Sequence, residues 1–195
     1  MIKLVTLGPT TSEVDLCYLK EMHTDYVVSY GYRYRIKEPI LSAYPNRLIN
    51  QHISFLPWNR GADPNFWSIF DDTPKGITIH LIDEGLDTGP ILVQREVEFD
   101  PDMTLRTSYN HLKEQMDLMW TDFWPDWIAG RIKPRKQLEG GSTHRKLEML
   151  NHMPIIAPLG WDTPISMVAE YGRQKRSTTP VACQNGTEMR AHTLR

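Results

Sequence analysis

An α/β domain with a mostly parallel sheet and a long C-terminal helix is the fold class that this 195-residue chain predicts. Three observations carry that prediction. Apolar strand-like runs alternate with short amphipathic stretches from Ile2 to Ile53, the pattern of strands joined by crossover helices. Two more strand-like runs then flank the glycine-bracketed turn Gly85-Leu86-Asp87-Thr88-Gly89. From Thr104 to Phe123 apolar residues recur at spacings of three and four, the period of a helix with one buried face.

Taken in order, Ile2 to Leu7 reads as a buried strand that ends at Gly8-Pro9-Thr10. Ser12-Glu13-Val14-Asp15 has the form of a capping box and predicts a short helix with Leu16, Leu19 and Met22 inward. Asp25 to Tyr30 is the next strand, and Gly31 to Arg35 turns the chain into a helix near Glu38 to Tyr44. Arg47 to Ile53 is the third strand. Pro57 to Pro64 is a loop, and a helix covers Asn65 to Phe70. Gly76 to Ile82 is a strand with Ile77, Ile79 and Leu81 on one face, and Ile91 to Phe99 is another. Thr104 caps the longest helix, which turns Leu105, Tyr109, Leu112, Met116, Met119 and Phe123 inward; Pro125 should kink or end it, and Gly130 closes the segment. A Gly140-Gly141-Ser142 turn and a helix over Ser166 to Tyr171 follow. From Arg173 the chain is polar and aperiodic, which reads as a mobile tail. The expected division is 1–130 as the catalytic domain, 131–172 as an extension packed on it and 173–195 as the tail.

Charges balance to a net −2, so no electrostatic footprint for nucleic acid or an anionic membrane surface is present. No apolar run approaches the ~20 residues of a membrane span. Met1 to Leu7 is too short and strand-like for a signal peptide. Cys17 and Cys183 are far apart and form no metal-binding pattern, consistent with reduced thiols in a cytoplasmic protein. Six tryptophans and eight tyrosines are a large aromatic supply, suited to core packing and to flat heterocyclic ligands.

The chemistry centres on Asn50, His52 and Asp87. In an extended segment Asn50 and His52 point to the same side. The first offers an amide donor that does not titrate, the second an imidazole that exchanges a proton near neutral pH. Asp87, in its glycine-bracketed turn, can return a carboxylate to that imidazole. Acyl transfer to an amine needs a group to take the proton, donors for the oxyanion and a site that holds both reactants.

Asn50 through Gly61, with Leu86-Asp87-Thr88-Gly89 at this spacing, resembles the folate-dependent formyltransferase family, whose members include glycinamide ribonucleotide transformylase, methionyl-tRNA formyltransferase and the nucleotide-sugar N-formyltransferases. The resemblance implies a reduced Rossmann-like domain that uses N10-formyltetrahydrofolate as co-substrate without a metal. It also implies Asn50, His52 and Asp87 as the catalytic trio, and Tyr30, Gly31, Tyr32, Tyr34, Asp83 and Gly85 as the folate side. Trp58, Arg60 and Gly61 fall on the substrate side. The match runs from about Asp25 to about Phe99, and Gly140-Gly141-Ser142-Thr143-His144 with Gly160-Trp161-Asp162-Thr163-Pro164 is similar to formyltransferases of amino-sugar synthesis.

Only 49 residues precede Asn50, fewer than typical members place there. The glycine-rich phosphate loop of the glycinamide branch is absent. No C-terminal barrel of the tRNA branch follows, and no basic surplus holds tRNA. By elimination the expected acceptor is the primary amine of a nucleotide-linked amino sugar, a small-molecule partner. The alternatives are a glycinamide ribonucleotide transformylase and a non-catalytic homologue that binds folate or a nucleotide.

Rival readings attach to the same residues. Ser54 shares a face with His52, as in a Ser-His-Asp hydrolase, but no Gly-x-Ser-x-Gly elbow surrounds it. His80, His52 and Asp87 can be drawn as a two-histidine, one-carboxylate metal site, against which His80 is read as a strand histidine near the pocket. Tyr30, Tyr32 and Tyr34 line a pterin pocket or cover the sheet. Arg60 reaches a substrate anion or is a surface arginine, and His144 sits at the site rim or in a solvated turn. Trp120, Phe123, Trp124 and Trp127 are core, or a homodimer contact.

Overall fold

Five strands form the central sheet of the computed structural model, which describes residues 1–178. They are β1 (Leu4–Leu7), β2 (Tyr26–Tyr30), β3 (Leu48–His52), β5 (Gly76–Leu81) and β6 (Ile91–Glu96), in the order β1-β2-β3-β5-β6. The first three pair in parallel, β5 is antiparallel to both neighbours, and β6 resumes the first direction. Four strands therefore share one direction, as the strand–helix alternation predicts. Short helices α1 (Leu16–Glu21) and α2 (Ile40–Ala43) connect the parallel strands. A small second sheet pairs β4 (Arg60–Gly61) in parallel with β7 (Thr143–His144).

β5 sets the placement of the chemistry. Its register puts His80 opposite Asn50 and Thr78 opposite His52, and opposed residues share a face. The other face carries Ile77, Ile79 and Leu81, which join Ile49 in one core with Leu112, Met116, Met119 and Phe123 of α4 (Leu105–Ile128). Full burial of each such side chain contributes about 1.5–3 kcal/mol, so β5 is held firmly by its apolar face.

Segments after α4 contribute to a second core. Ile156, Ile165 and Val168 pack with Phe66, Trp67, Ile69 and Phe70 of α3 (Pro64–Phe70). Ile156 ends α5 (Met153–Ile156), while Ile165 and Val168 belong to α6 (Ile165–Thr178).

Several boundaries differ from the sequence reading. The N-cap of α1 is Asp15, which accepts from the Tyr18 amide at 2.8 Å, and Met22 is an exposed C-cap rather than an inward residue. Proline at 125 costs α4 the hydrogen bond from 125 to 121, yet the helix runs on to Ile128 and Ala129 N–H donates to the Pro125 carbonyl at 3.1 Å. Arg173 to Thr178, read as the start of the tail, are the last turns of α6. The rest of that stretch lies outside the described residues. Among the described residues no helix is long and apolar enough to cross a membrane.

Candidate active site

Asn50 and His52 occupy β3, and the loop after β5 brings Asp87 back across their face. The carboxylate meets three elements. Oδ1 accepts from Asn50 Nδ2 at 3.1 Å, Oδ2 accepts from the Gly61 amide at 2.8 Å, and His52 Nδ1 lies 3.6 Å from Oδ2. His80 Nε2 stands 3.6 Å from Oδ1. Burial alone would raise the Asp87 carboxyl; the positive charge that His52 and His80 carry when protonated, with the Gly61 amide, outweighs it, and the group is held well below the usual carboxylate range. It is ionised at any working pH.

The tautomers follow from the partners. His52 Nε2 lies 2.9 Å from the Asn59 carbonyl, which only accepts, so Nε2 carries hydrogen and the lone pair of neutral His52 sits on Nδ1 beside Asp87. His80 Nδ1 donates to the Leu81 carbonyl at 2.7 Å, leaving Nε2 to accept from Asn50 Nδ2 at 3.1 Å. Asn50 thus spends both amide protons, one on His80 and one on Asp87. The opposite amide orientation would set its oxygen against the carboxylate.

Around this cluster lies a cavity of about 1190 Å³. Of the residues singled out from sequence, Asn50, His52, Asp87, Tyr30, Gly31, Tyr32, Tyr34, Asp83, Gly85 and Gly61 line it. Tyr32 faces it with a pinned ring, since its hydroxyl accepts from Val14 N–H at 2.8 Å and donates to the Ser12 carbonyl at 3.1 Å. Asp83 Oδ1 shapes the loop by accepting from Gly85 N–H at 3.0 Å and from the Thr88 hydroxyl at 2.7 Å. The Tyr30 hydroxyl is buried without a partner.

Trp58 and Arg60, assigned to the substrate side, are not on the cavity wall. Arg60 is spent on Gln137 Oε1, with Nη2 at 2.7 Å and Nε at 3.1 Å, and Trp58 is partly exposed outside the cavity. Ser54 is no nucleophile, because its hydroxyl donates to the Trp58 carbonyl at 2.8 Å to close the turn. His52, His80 and Asp87 do meet, but the described residues contain no group of three or more His, Cys, Asp or Glu that could hold a metal ion. His144 reaches the cavity rim, stacked on Trp67 at 4.0 Å, with Nε2 3.1 Å from Asp71 Oδ2.

Two residues that position the cluster, Asn59 and Gln137, escape sequence reasoning, and a third, His80, is read from sequence only as a neighbour of the pocket or a metal ligand. His80 is part of it rather than merely near it, and only the β3–β5 register reveals that. Asn59 is fully buried in a left-handed conformation with φ 55°. While its carbonyl takes the His52 hydrogen, its side chain donates to Thr73 Oγ1 at 2.7 Å and accepts from Ser142 Oγ at 3.1 Å. An asparagine beside a glycine-containing loop is the available signal. Gln137 Nε2 donates to the carbonyls of Asp87 and Gly89 at 2.8 and 2.9 Å and fixes the turn from a distant segment; no local pattern marks it. Gly61 permits the close approach of β4 and β7: at φ 90° a Cβ would stand 2.2 Å from the His144 carbonyl oxygen.

A mixed sheet with an Asn–His–Asp cluster beneath a large cavity defines a candidate acyl-transfer site. The chain belongs to the formyl transferase family, whose sequence model matches residues 11–120. It is similar to the formyltransferase PseJ of Anoxybacillus kamchatkensis, whose structure is a complex with UDP-4,6-dideoxy-4-formamido-L-AltNAc and tetrahydrofolate. The two are 38% identical with a TM-score of 0.81, over 87% of this chain and 99% of that one. Phosphoribosylglycinamide formyltransferase of Bacillus halodurans is 34% identical with a TM-score of 0.51, over 54% of this chain and 55% of that one. Methionyl-tRNA formyltransferase of Myxococcus xanthus is 32% identical over 124 residues, 63% of this chain and 40% of the relative. The chain thus spans about two fifths of the length of the curated relatives it matches.

Proposed function

We propose that this protein transfers a formyl group from N10-formyltetrahydrofolate to the primary amine of a nucleotide-linked amino sugar. The observation that carries the reading is the likeness to PseJ over 99% of that chain, in complex with a formamido-sugar nucleotide and tetrahydrofolate. The cavity suits two ligands: about 1190 Å³ exceeds the ~300–1,000 Å³ of a usual small-molecule pocket. Tyr32 and Tyr34, with ring centroids 5.5 Å apart, offer flat surface to a pteridine.

The co-substrate, when bound, supplies the formyl group as an activated acyl unit. His52 Nδ1 takes the proton that the amine loses as its bond to the formyl carbon forms, and delivers a proton to the nitrogen released when the old carbon–nitrogen bond breaks. Asp87 stabilises the imidazolium and, through Asn50 and Gly61, ties β3 to β4. Asn50 stabilises the developing oxyanion by exchanging one of its two present acceptors for it. A donor so placed is worth roughly 2.7–4 kcal/mol in a transition state. Purified protein with formyl-folate and a panel of nucleotide-linked amino sugars should release tetrahydrofolate, and His52→Ala should abolish release while folate still binds. Equal release by wild type and His52→Ala overturns the assignment.

Transfer to methionyl-tRNA is the second reading, favoured by the methionyl-tRNA formyltransferase relatives. Formylation of that tRNA, without turnover of any sugar nucleotide, selects it.

A further inference from the structure

We propose that Asp63 is a specificity-determining residue of the acceptor site, taking hydrogen bonds from an O–H or N–H donor of the amino sugar beside the reacting nitrogen. The inference rests on the sugar-nucleotide reading above and adds to it a residue and a chemistry.

Aspartate is among the best N-cap residues, its carboxylate normally accepting from the first turn of the helix. Asp63 occupies the N-cap of α3 and makes no such bond. Its backbone is left-handed, at φ 53° and ψ 42°, instead of the extended conformation that capping requires. That conformation costs a residue other than glycine about 1–2 kcal/mol. Just before Asp63 the chain is fixed by the Ala62 N–H, which donates to the His144 carbonyl at 3.0 Å. The carboxylate forgoes its local partner and forms no hydrogen bond and no ion pair within 4 Å among the described residues, yet Asp63 lines the cavity.

Its surroundings point to a ligand with donors. Asp63 is two residues from Gly61, whose amide holds Asp87 at 2.8 Å, so its Cα lies within about 8 Å of that contact. Asn65 lines the same wall and is 4% exposed. Both its amide protons are spent on α4, at 3.2 Å to the Leu105 carbonyl and 3.0 Å to Ser108 Oγ, and its Oδ1 has no partner. That oxygen is itself buried, so a free acceptor is offered to the cavity by the Asp63 carboxylate. Lys146 lines the cavity too and is the charge felt by Asp63, yet the two are not closed into a pair. Burial raises the Asp63 carboxyl, more than Lys146 lowers it. A sugar nucleotide satisfies both groups, with ring donors for the carboxylate and phosphate oxygens for the ammonium.

The test compares wild type with Asp63→Asn and Asp63→Gly, both of which tolerate the left-handed backbone, in steady-state formyl transfer. Acceptors with and without a hydroxyl next to the amine separate an O–H donor from an N–H donor. The expected result is an acceptor KM raised by about 10- to 150-fold, the equivalent of one charged hydrogen bond, with the formyl-folate KM within twofold and thermal stability retained. A matching loss in both acceptors assigns the donor to N–H, and a loss confined to the hydroxylated one assigns it to O–H. Unchanged acceptor KM, or acceptor and folate KM shifted together, overturns the role of Asp63. Absence of wild-type turnover with every sugar nucleotide overturns the functional reading itself, and this inference with it.

Discussion

Replacing Asp87 by asparagine keeps the shape of the side chain and inverts one of its hydrogen-bonding roles. Both oxygens now face donors, Asn50 Nδ2 at 3.1 Å and the Gly61 amide at 2.8 Å. Whichever way the new amide turns, its NH₂ meets an N–H. A hydrogen bond to a charged group contributes about 1.5–3 kcal/mol, and a buried unsatisfied group costs about 1–3 kcal/mol more. Asp87→Asn should therefore destabilise by roughly 3–5 kcal/mol in urea unfolding at pH 7. Turnover should fall by about 10²–10⁴, the usual share of positioned proton transfer, because the His52 imidazolium loses its counter-charge. The pH dependence has a definite sign. A carboxyl held below its unfolded value stabilises above about pH 4 and loses that contribution as pH falls further. The stability gap between wild type and variant should hence narrow on acidification from about pH 4 towards pH 2. A stability change under about 0.5 kcal/mol, or a gap that widens in acid, refutes the coordination described for Asp87.

Other outcomes follow from the same geometry. Gly61→Ala should lose at least about 1–3 kcal/mol from its positive φ alone, and the 2.2 Å approach to the His144 carbonyl should part β4 from β7; denaturant unfolding and hydrogen exchange at Gly61 and Ala62 check this. Asn59→Ala removes the anchors to Thr73 and Ser142 and should lower kcat more than either KM, with an altered pH–rate profile because the backbone carbonyl that holds His52 Nε2 is no longer anchored. An unaltered profile would show that the side-chain anchors of Asn59 are not needed to hold its carbonyl on His52.

Much of this site is legible in the amino-acid sequence, for a physical reason. Asn50 and His52 lie two apart in a strand, and strand geometry forces them onto one face whatever the tertiary fold. Asp87 is legible because glycines on both sides mark a turn. What stays hidden depends on pairing between distant segments. His80 enters only through the antiparallel register of β5 on β3, and Gln137 acts through an extended segment with no periodicity. Trp58 and Arg60 illustrate the converse: loop residues beside a site suggest contact with substrate, but the loop turns them towards Gln137 and the exterior. The boundaries that sequence misplaces are those of helices whose ends have competing local signals, Asp15 against Ser12 at the start of α1 and Pro125 against the packed aromatic face of α4.

Formyl transfer itself is the most direct measurement: tetrahydrofolate release by the purified protein given N10-formyltetrahydrofolate and nucleotide-linked amino sugars, read with and without His52→Ala. Release that depends on both the sugar amine and His52 is the predicted result. Release indifferent to the amine or to His52, or none with any nucleotide-linked amino sugar while methionyl-tRNA or glycinamide ribonucleotide is formylated, would contradict it.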